Sequence, residues 1–218
     1  VLTNQGKQLT GDTLFYDRNT GVGEAFSRMV MTDTINRNML TGEYGYYNEQ
    51  TDYAFATDSA VAIDYSQGDS LFLHADTLLM ETFHQNTDSM FREMRAFHKV
   101  RFYRTDVQGT ADSLVFSTVD SCLTMYRDPI IWNKNQQLLG EVIKVYMNDS
   151  TIDWSHIIGQ ALSVERVDST IYNQVTGKEM KSYFANGEMR KTEVIGSARV
   201  VYYPMDSDST LIGMNVSE

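Results

Sequence analysis

Proline is nearly missing, at 2 residues in 218, and cysteine is reduced to Cys122 alone. Collagen-like and proline-rich disordered chains are therefore excluded, and Cys122 has no internal disulfide partner, which leaves cytosol and periplasm equally open. Basic residues are scarce too: 18 Lys and Arg stand against 29 Asp and Glu, a net charge of -11. That balance argues against nucleic acid as the main partner, because phosphate binding rests on cation contacts that such a surface opposes. Long apolar runs are lacking; stretches such as Val200 to Tyr203 stop far short of the roughly 20 residues a spanning helix needs. The chain opens at Val1 without an initiator methionine, a charged n-region or an apolar h-region, which fits a cleaved secretory signal and decides nothing about compartment.

What is abundant is apolar residues, 42% of the chain, enough for a core without metal or disulfide staples. Thr, Val, Ile, Tyr and Phe come in short alternating runs punctuated by Gly, Asn, Asp and Ser, the pattern of consecutive antiparallel strands. Ala25, Ser27, Met29 and Met31 fall on one face with Phe26, Arg28 and Val30 on the other; Ala96, His98, Val100 and Phe102 alternate with Phe97, Lys99, Arg101 and Tyr103. Two segments also have helical spacing: Asp88 to His98, undecided between the two periods, and Gln136 to Met147, where β-branched residues and Gly140 favour strand.

A repeat emerges from a small residue, an acid, any residue and an apolar residue: Gly11-Asp12-Thr13-Leu14, Ala75-Asp76-Thr77-Leu78, Ala111-Asp112-Ser113-Leu114 and Gly140-Glu141-Val142-Ile143, with Gly42-Glu43 a degenerate copy. Read as acidic turns, the starts lie 31, 33, 36 and 29 residues apart, room for two or three strands per unit in a stacked β architecture. With no linker or composition shift, the expectation is one all-β domain over 1–218, the alternative being two tandem halves with a boundary near 106–110.

Signatures of chemistry fail in turn. There is no G-x-S-x-G elbow and no Ser three residues before a Lys, and His74, His84, His98 and His156 are scattered without metal spacing. Gly21-Val22-Gly23 and Gly177-Lys178 lack the further glycines of a phosphate loop. We therefore expect no catalytic residue, no metal and no cofactor. Arg92, Arg95, Lys99, Arg101 and Arg104 cluster within 13 residues with only Glu93 among them. A solvated strand face is the commoner meaning of such a cluster; as an anion site, Arg95, Lys99 and Arg101 share the required strand parity. Leu14, Tyr16, Met29, Met31, Phe55, Val61, Ile63, Val100, Phe102, Val115, Met125, Ile131, Val200 and Tyr202 fill a core or, in a β scaffold that does not close, line an apolar groove in which 12 methionines supply adaptable packing.

Several fragments together resemble the OstA-like family, relatives of LptA and of the periplasmic part of LptD, in its Bacteroidetes form. They are Leu9-Thr10-Gly11-Asp12-Thr13-Leu14-Phe15-Tyr16-Asp17, Gln108 to Leu114, Asp128-Pro129-Ile130-Ile131-Trp132 ahead of Gln137 to Ile143, and Tyr172 to Lys178 leading into Ile195 to Ala198 and Val201-Tyr202-Tyr203. The resemblance spans nearly the whole chain, and Glu43 and Glu141 stand where the pattern usually has Asp. It implies an open, twisted antiparallel β-jellyroll, a non-catalytic periplasmic scaffold, outer-membrane associated in some members. On that resemblance the apolar residues named above hold the acyl chains of lipopolysaccharide, and Arg95, Lys99 and Arg101 lie near its head group. The end strands, Leu9 to Tyr16 and Ser197 to Tyr203, would pair with other Lpt-type β-jellyrolls or with a second copy. The alternative class is an extracytoplasmic glycan-binding β-solenoid, marked by exposed aromatic ladders.

Overall fold

The computed structural model describes residues 1–4, 6–66, 68–148, 151–185, 188–208 and 210–218, with only the backbone of Asn4 and Glu188. All regular structure among them is β. In chain order the strands are β1 (Leu2–Asn4), β2 (Lys7–Thr10), β3 (Thr13–Asp17), β4 (Val22–Asp33), β5 (Asn38–Asn48), β6 (Tyr53–Asp64), β7 (Leu71–Phe83), β8 (Phe91–Arg104) and β9 (Val107–Ser117). They continue as β10 (Cys122–Tyr126), β11 (Ile130–Asn133), β12 (Gln136–Leu139), β13 (Val142–Asn148), β14 (Thr151–Arg166), β15 (Tyr172–Ala185), β16 (Glu188–Ile195), β17 (Arg199–Tyr202) and β18 (Asn215–Ser217). Both segments with helical spacing are strand: β8 takes in most of Asp88 to His98, and β12 and β13 take in Gln136 to Met147. β-branched and aromatic residues favour the pleated surface, and long-range pairing overrides a short helical period.

The chain forms two compact units, 1–105 with 110–121, and 106–109 with 122–218. In the first, β4 to β8 pair consecutively and antiparallel, while β2 and β3 both lie on β4 as one strand interrupted at Gly11-Asp12. In the second, β12 and β13 both lie on β14, β15 follows, and β16 and β17 both lie on β15.

Alternate strands bend at a pair of residues in the left-handed region: Ser27-Arg28 in β4, Asp58-Ser59 in β6, His98-Lys99 in β8 and Gly159-Gln160 in β14, with Arg127-Asp128 between β10 and β11 and Gly196-Ser197 between β16 and β17. Opposite each bend stands a small residue followed by a charged one. Thus Asp12 N–H donates to the carbonyls of Phe26 and Ser27, Glu141 N–H to those of Ile158 and Gly159, and Lys178 N–H to that of Gly196. Arg28 N–H donates to Glu43 Oε2, Lys99 Nζ lies 3.2 Å from Asp76, and His98 lies 3.5 Å from Asp112. The repeat read as turns is therefore a corner of the sheet, inside strands or at strand breaks, and Gly177-Lys178 is a further copy with the charge reversed. A left-handed conformation at non-glycine residues costs roughly 1 kcal/mol or more each. The carboxylates and the facing backbone groups offset that cost. The facing residue must be small because backbone approaches closely there: a Cβ on Gly42 would lie 2.9 Å from the Thr57 carbonyl oxygen.

Since each bend consumes two residues, alternation resumes with unchanged parity, except that Ser27, Arg28, His98 and Lys99 leave both faces and stand exposed at the corner. One face is therefore turned inward, buried ahead of the corner and mostly half-buried beyond it. In the first unit its cross-strand rows are Ala25, Gly45, Ala56, Leu78 and Ala96, and, beyond the corner, Met31, Leu40, Ala62, Leu73 and Phe102. In the second they are Met125, Ile143, Ile157, Met180 and Val194, and Ile131, Leu138, Ser163, Val175 and Val200. Ala25, Ala56, Ala96, Met125 and Ile143 are wholly buried.

Candidate functional site

Two features follow from this geometry: a continuous apolar inner face within each unit, and strand edges. The inner face collects Leu14, Tyr16, Met29, Met31, Val100 and Phe102 in the first unit and Met125, Ile131 and Val200 in the second. Tyr202 shares Val200's parity and is half exposed, as is Tyr16, whose hydroxyl donates to Glu49 Oε2 at 3.0 Å. Phe55, Val61 and Ile63 lie on the outer face, because the pairs that carry the buried row run through Ala54, Ala56 and Ala62. Val115 follows them outward by alternation from the buried Leu114. Period-2 reading could not have separated these sets, since β6 carries apolar residues on both faces.

The inner face is filled by its own side chains. Met29 lies across Gly45, where an added Cβ would meet its Cε at 2.7 Å. Small residues on one wall faced by an unbranched, flexible methionine make a wall whose shape changes by rotamer. An open trough of about 640 Å³ runs along the corner, lined by Arg28, Glu43, Thr57, Asp58, Ser59 and Asp76 among others. Its charges are mixed, and Arg28 is already held by Asp12 at 2.6 Å.

The cluster of cations in β8 is largely neutralised. Arg95 lies 2.5 Å from Glu93 and 3.4 Å from Glu81, and Arg92 lies 3.6 Å from Asp52. Lys99 stands at the corner beside Asp76, and Arg101 on the outer face approaches His74 at 3.4 Å. Arg95, Lys99 and Arg101 thus stand outside the buried face, apart from the inner residues.

Aromatic side chains form three outer-face groups among the described residues, the smallest being Phe83 stacked on Phe91 at 4.7 Å and 13°. Phe15, Phe26, Tyr44, Phe55, Tyr46 and Tyr53 make successive ring contacts in the first unit, and Tyr146, Trp154 and Tyr183 stack in the second, the first two at 4.0 Å and 3°. The ring faces of Tyr146 and Trp154 are spent on each other, and Lys191 covers Tyr183. Hydrogen bonding to Glu24 and burial push the Tyr44 phenol up to about 12; burial, then the Asp52 and Glu49 charges, do the same to Tyr47. Asp52 also accepts from Thr82 Oγ1 at 2.6 Å, which ties β7 to the turn between β5 and β6.

Edges complete the description. β3 pairs with β4, and among the described residues no strand lies against its other side; β16 pairs with β15 in the same one-sided way. The outer edge of β2 carries β1, and that of β17 carries β18, each through three residue pairs.

Fold and site together define two antiparallel β units, each bent at a corner and each with an apolar inner face, the first carrying the one-sided strand β3 and the second the one-sided strand β16 among the described residues. No family model and no curated protein matches the chain. Among solved structures it is similar to LptH, described as the LptA homologous periplasmic component of the lipopolysaccharide transport device from Pseudomonas aeruginosa, with 14% identity, a TM-score of 0.45, and coverage of 56% of this chain and 83% of that one.

Proposed function

We propose that this chain is a non-catalytic periplasmic scaffold of lipopolysaccharide transport, which shelters acyl chains on its inner face and extends end to end through its terminal strands. The two units act as tandem copies of one plan.

The observation that carries the reading is the corner. Interior bends such as Ser27-Arg28 and Gly159-Gln160 have a small-plus-charged dipeptide on both sides. Among the described residues the alternation is left unfinished at two places: Gly196-Ser197 faces only Gly177-Lys178, and Gly11-Asp12 faces only Ser27-Arg28. A second copy whose Gly11-Asp12 settles opposite Gly196-Ser197 completes both. Transferring the register of β2 and β3 on β4 puts Leu14 opposite Val194, Leu9 opposite Val200, and Asp17 opposite Lys191. The first two pairs continue the inner face, and the third joins opposite charges. Mixing Leu14→Cys protein with Val194→Cys protein should give a disulfide dimer under oxidation, whereas Asp17→Cys mixed with Val194→Cys, three residues off register, should not. No cross-link in the first mixture would sink the end-to-end reading.

Acyl shelter is supported by the small-residue wall and its methionine. Burial of apolar chain contributes about 0.8 kcal/mol per CH₂, so a dozen carbons supply on the order of 8 kcal/mol before association costs. Exposed cations near a head group contribute modestly and are screened by salt. With lipid A micelles, Met29→Asp and Phe102→Asp should weaken binding strongly at any salt concentration, while Lys99→Glu with Arg101→Glu should have an effect that shrinks as salt rises. Intact binding by folded inner-face variants would overturn the shelter.

A further inference from the structure

We infer that β1 and β18 are built-in competitors for the same edges that end-to-end docking would use, so that the chain meets a second copy with half of each edge open and half covered. This rests on the end-to-end reading above. The halves correspond. In the transferred register the open β3 of one copy meets the open β16 of the next, and the covered β2 meets the covered β17.

Pair counts set the consequence. β4 takes five pairs from β3 and four from β2, so docking offers five pairs at the open half and four at the covered half. Those four displace three from β1, Leu2, Thr3 and Asn4 on Leu9, Gln8 and Lys7, and three from β18, Asn215, Val216 and Ser217 on Tyr202, Val201 and Val200. The open half therefore docks without loss, while the covered half gives up more pairs than it forms. A single scaffold is held at partial engagement until a cover leaves.

The β18 cover is lightly attached. All three of its residues are exposed, Val216 at 44%, and its ion pair, Arg199 to Glu218 at 3.2 Å, is open to water. The segment leading to it turns through a Met205 to Leu211 bridge and leaves Ile212 and Met214 exposed, so little apolar burial holds the cover down. Few buried contacts and solvent-exposed backbone bonds are the signature of low-cost local opening. Apparent affinity then falls by the fraction of molecules whose edge is free.

The test uses the full chain in two forms. Val201→Cys with Val216→Cys, oxidised, locks the cover; Val216→Pro with Ser217→Pro removes at least one ladder donor, since neighbouring N–H groups on a strand point to opposite sides. Sedimentation should show self-association about tenfold weaker in the locked form than after reduction, and about tenfold tighter than wild type in the proline form. Hydrogen exchange at residues 199–202, measured at a concentration where the protein is monomeric, should rise in the proline form. If all forms associate alike, the cover is no competitor and the end-to-end reading stands without it. Residues 199–202 as protected in the proline form as in wild type would likewise overturn the inference, because the cover is then not displaceable. If the proline form exchanges freely at 199–202 yet no form associates, both the inference and the end-to-end reading fail.

Discussion

The row two residues ahead of the bend occupies the same place in both units and is filled in opposite ways. In the first unit it reads Ala25, Gly45, Ala56, Leu78 and Ala96; in the second it reads Met125, Ile143, Ile157, Met180 and Val194. Both are buried. One backbone plan thus supports a wall of small side chains, closed over by Met29, and a wall of large ones that fills its own space. The corner is set by backbone pairing and left-handed residues, and the volume beside it is set separately by side-chain choice. On the proposed function, the first unit is the one in which moving flexible side chains would make room for an acyl chain, and the second is the stiffer of the two.

The largest expected effect lies in the stiff wall. Ile157→Ala should leave a cavity beside Ile143 and Met180 and cost about 2–5 kcal/mol in chemical denaturation. A cost below 1 kcal/mol would show that this wall can collapse, and the contrast between the units would dissolve. Next, Ala56→Leu should overpack the small wall by about 1–3 kcal/mol and weaken lipid A micelle binding as well. Tighter or unchanged lipid binding by a folded Ala56→Leu protein would move the shelter out of the first unit. A third difference is polar. Both units bury polar side chains, Asp33 and Thr82 in the first and Thr124, Ser155, Ser163 and Ser182 in the second, but it is the Ser155 hydroxyl that finds no hydrogen-bond partner among the described groups. Ser155→Ala should therefore be neutral to stabilising, by about 1 kcal/mol at most; a loss of stability would mean that the hydroxyl has a partner such as an ordered water.

The smallest effect is a pH dependence confined to the first unit. The Tyr47 phenol is raised from 10.0 to about 12, so its neutral form is favoured by folding. Its contribution is complete below pH 10 and is lost as pH rises through about 12. Thermal melts of wild type and Tyr47→Phe should converge or cross over that window, and parallel curves from pH 9 to 12 would remove Tyr47 as the cause.

How much of this was legible beforehand depends on which interactions decide each feature. Strand character, the lack of a nucleophile signature and the corner dipeptides Gly11-Asp12, Ala75-Asp76, Ala111-Asp112 and Gly140-Glu141 stand in the sequence, because alternation and spacing are local properties of the chain. The meaning of those dipeptides was not legible. In sequence they read as turns, since an acid beside a small residue is ordinary turn chemistry, and Gly177-Lys178 falls outside the pattern because its charge is reversed. The bends they face are made at Gly159 and Gly196 by glycine but elsewhere by Ser, Arg, Asp, His and Lys, of which only Asp and His are enriched in left-handed backbone.

By itself, then, the sequence determined that the chain forms short antiparallel strands with a period near 30 residues, and which residues could be apolar lining. Only the tertiary structure decided which face of each strand is inside. In β6 that choice is between Ala54, Ala56 and Ala62 and the larger Phe55, Val61 and Ile63, and cross-strand registry to Gly45, Leu78 and Leu73 settles it for the alanines. The tertiary structure also pairs Arg95 with Glu81 across two strands and leaves β3 and β16 open while β1 and β18 cover their neighbours. Those outcomes depend on partners on other strands, brought together by backbone hydrogen bonding that a local pattern does not encode.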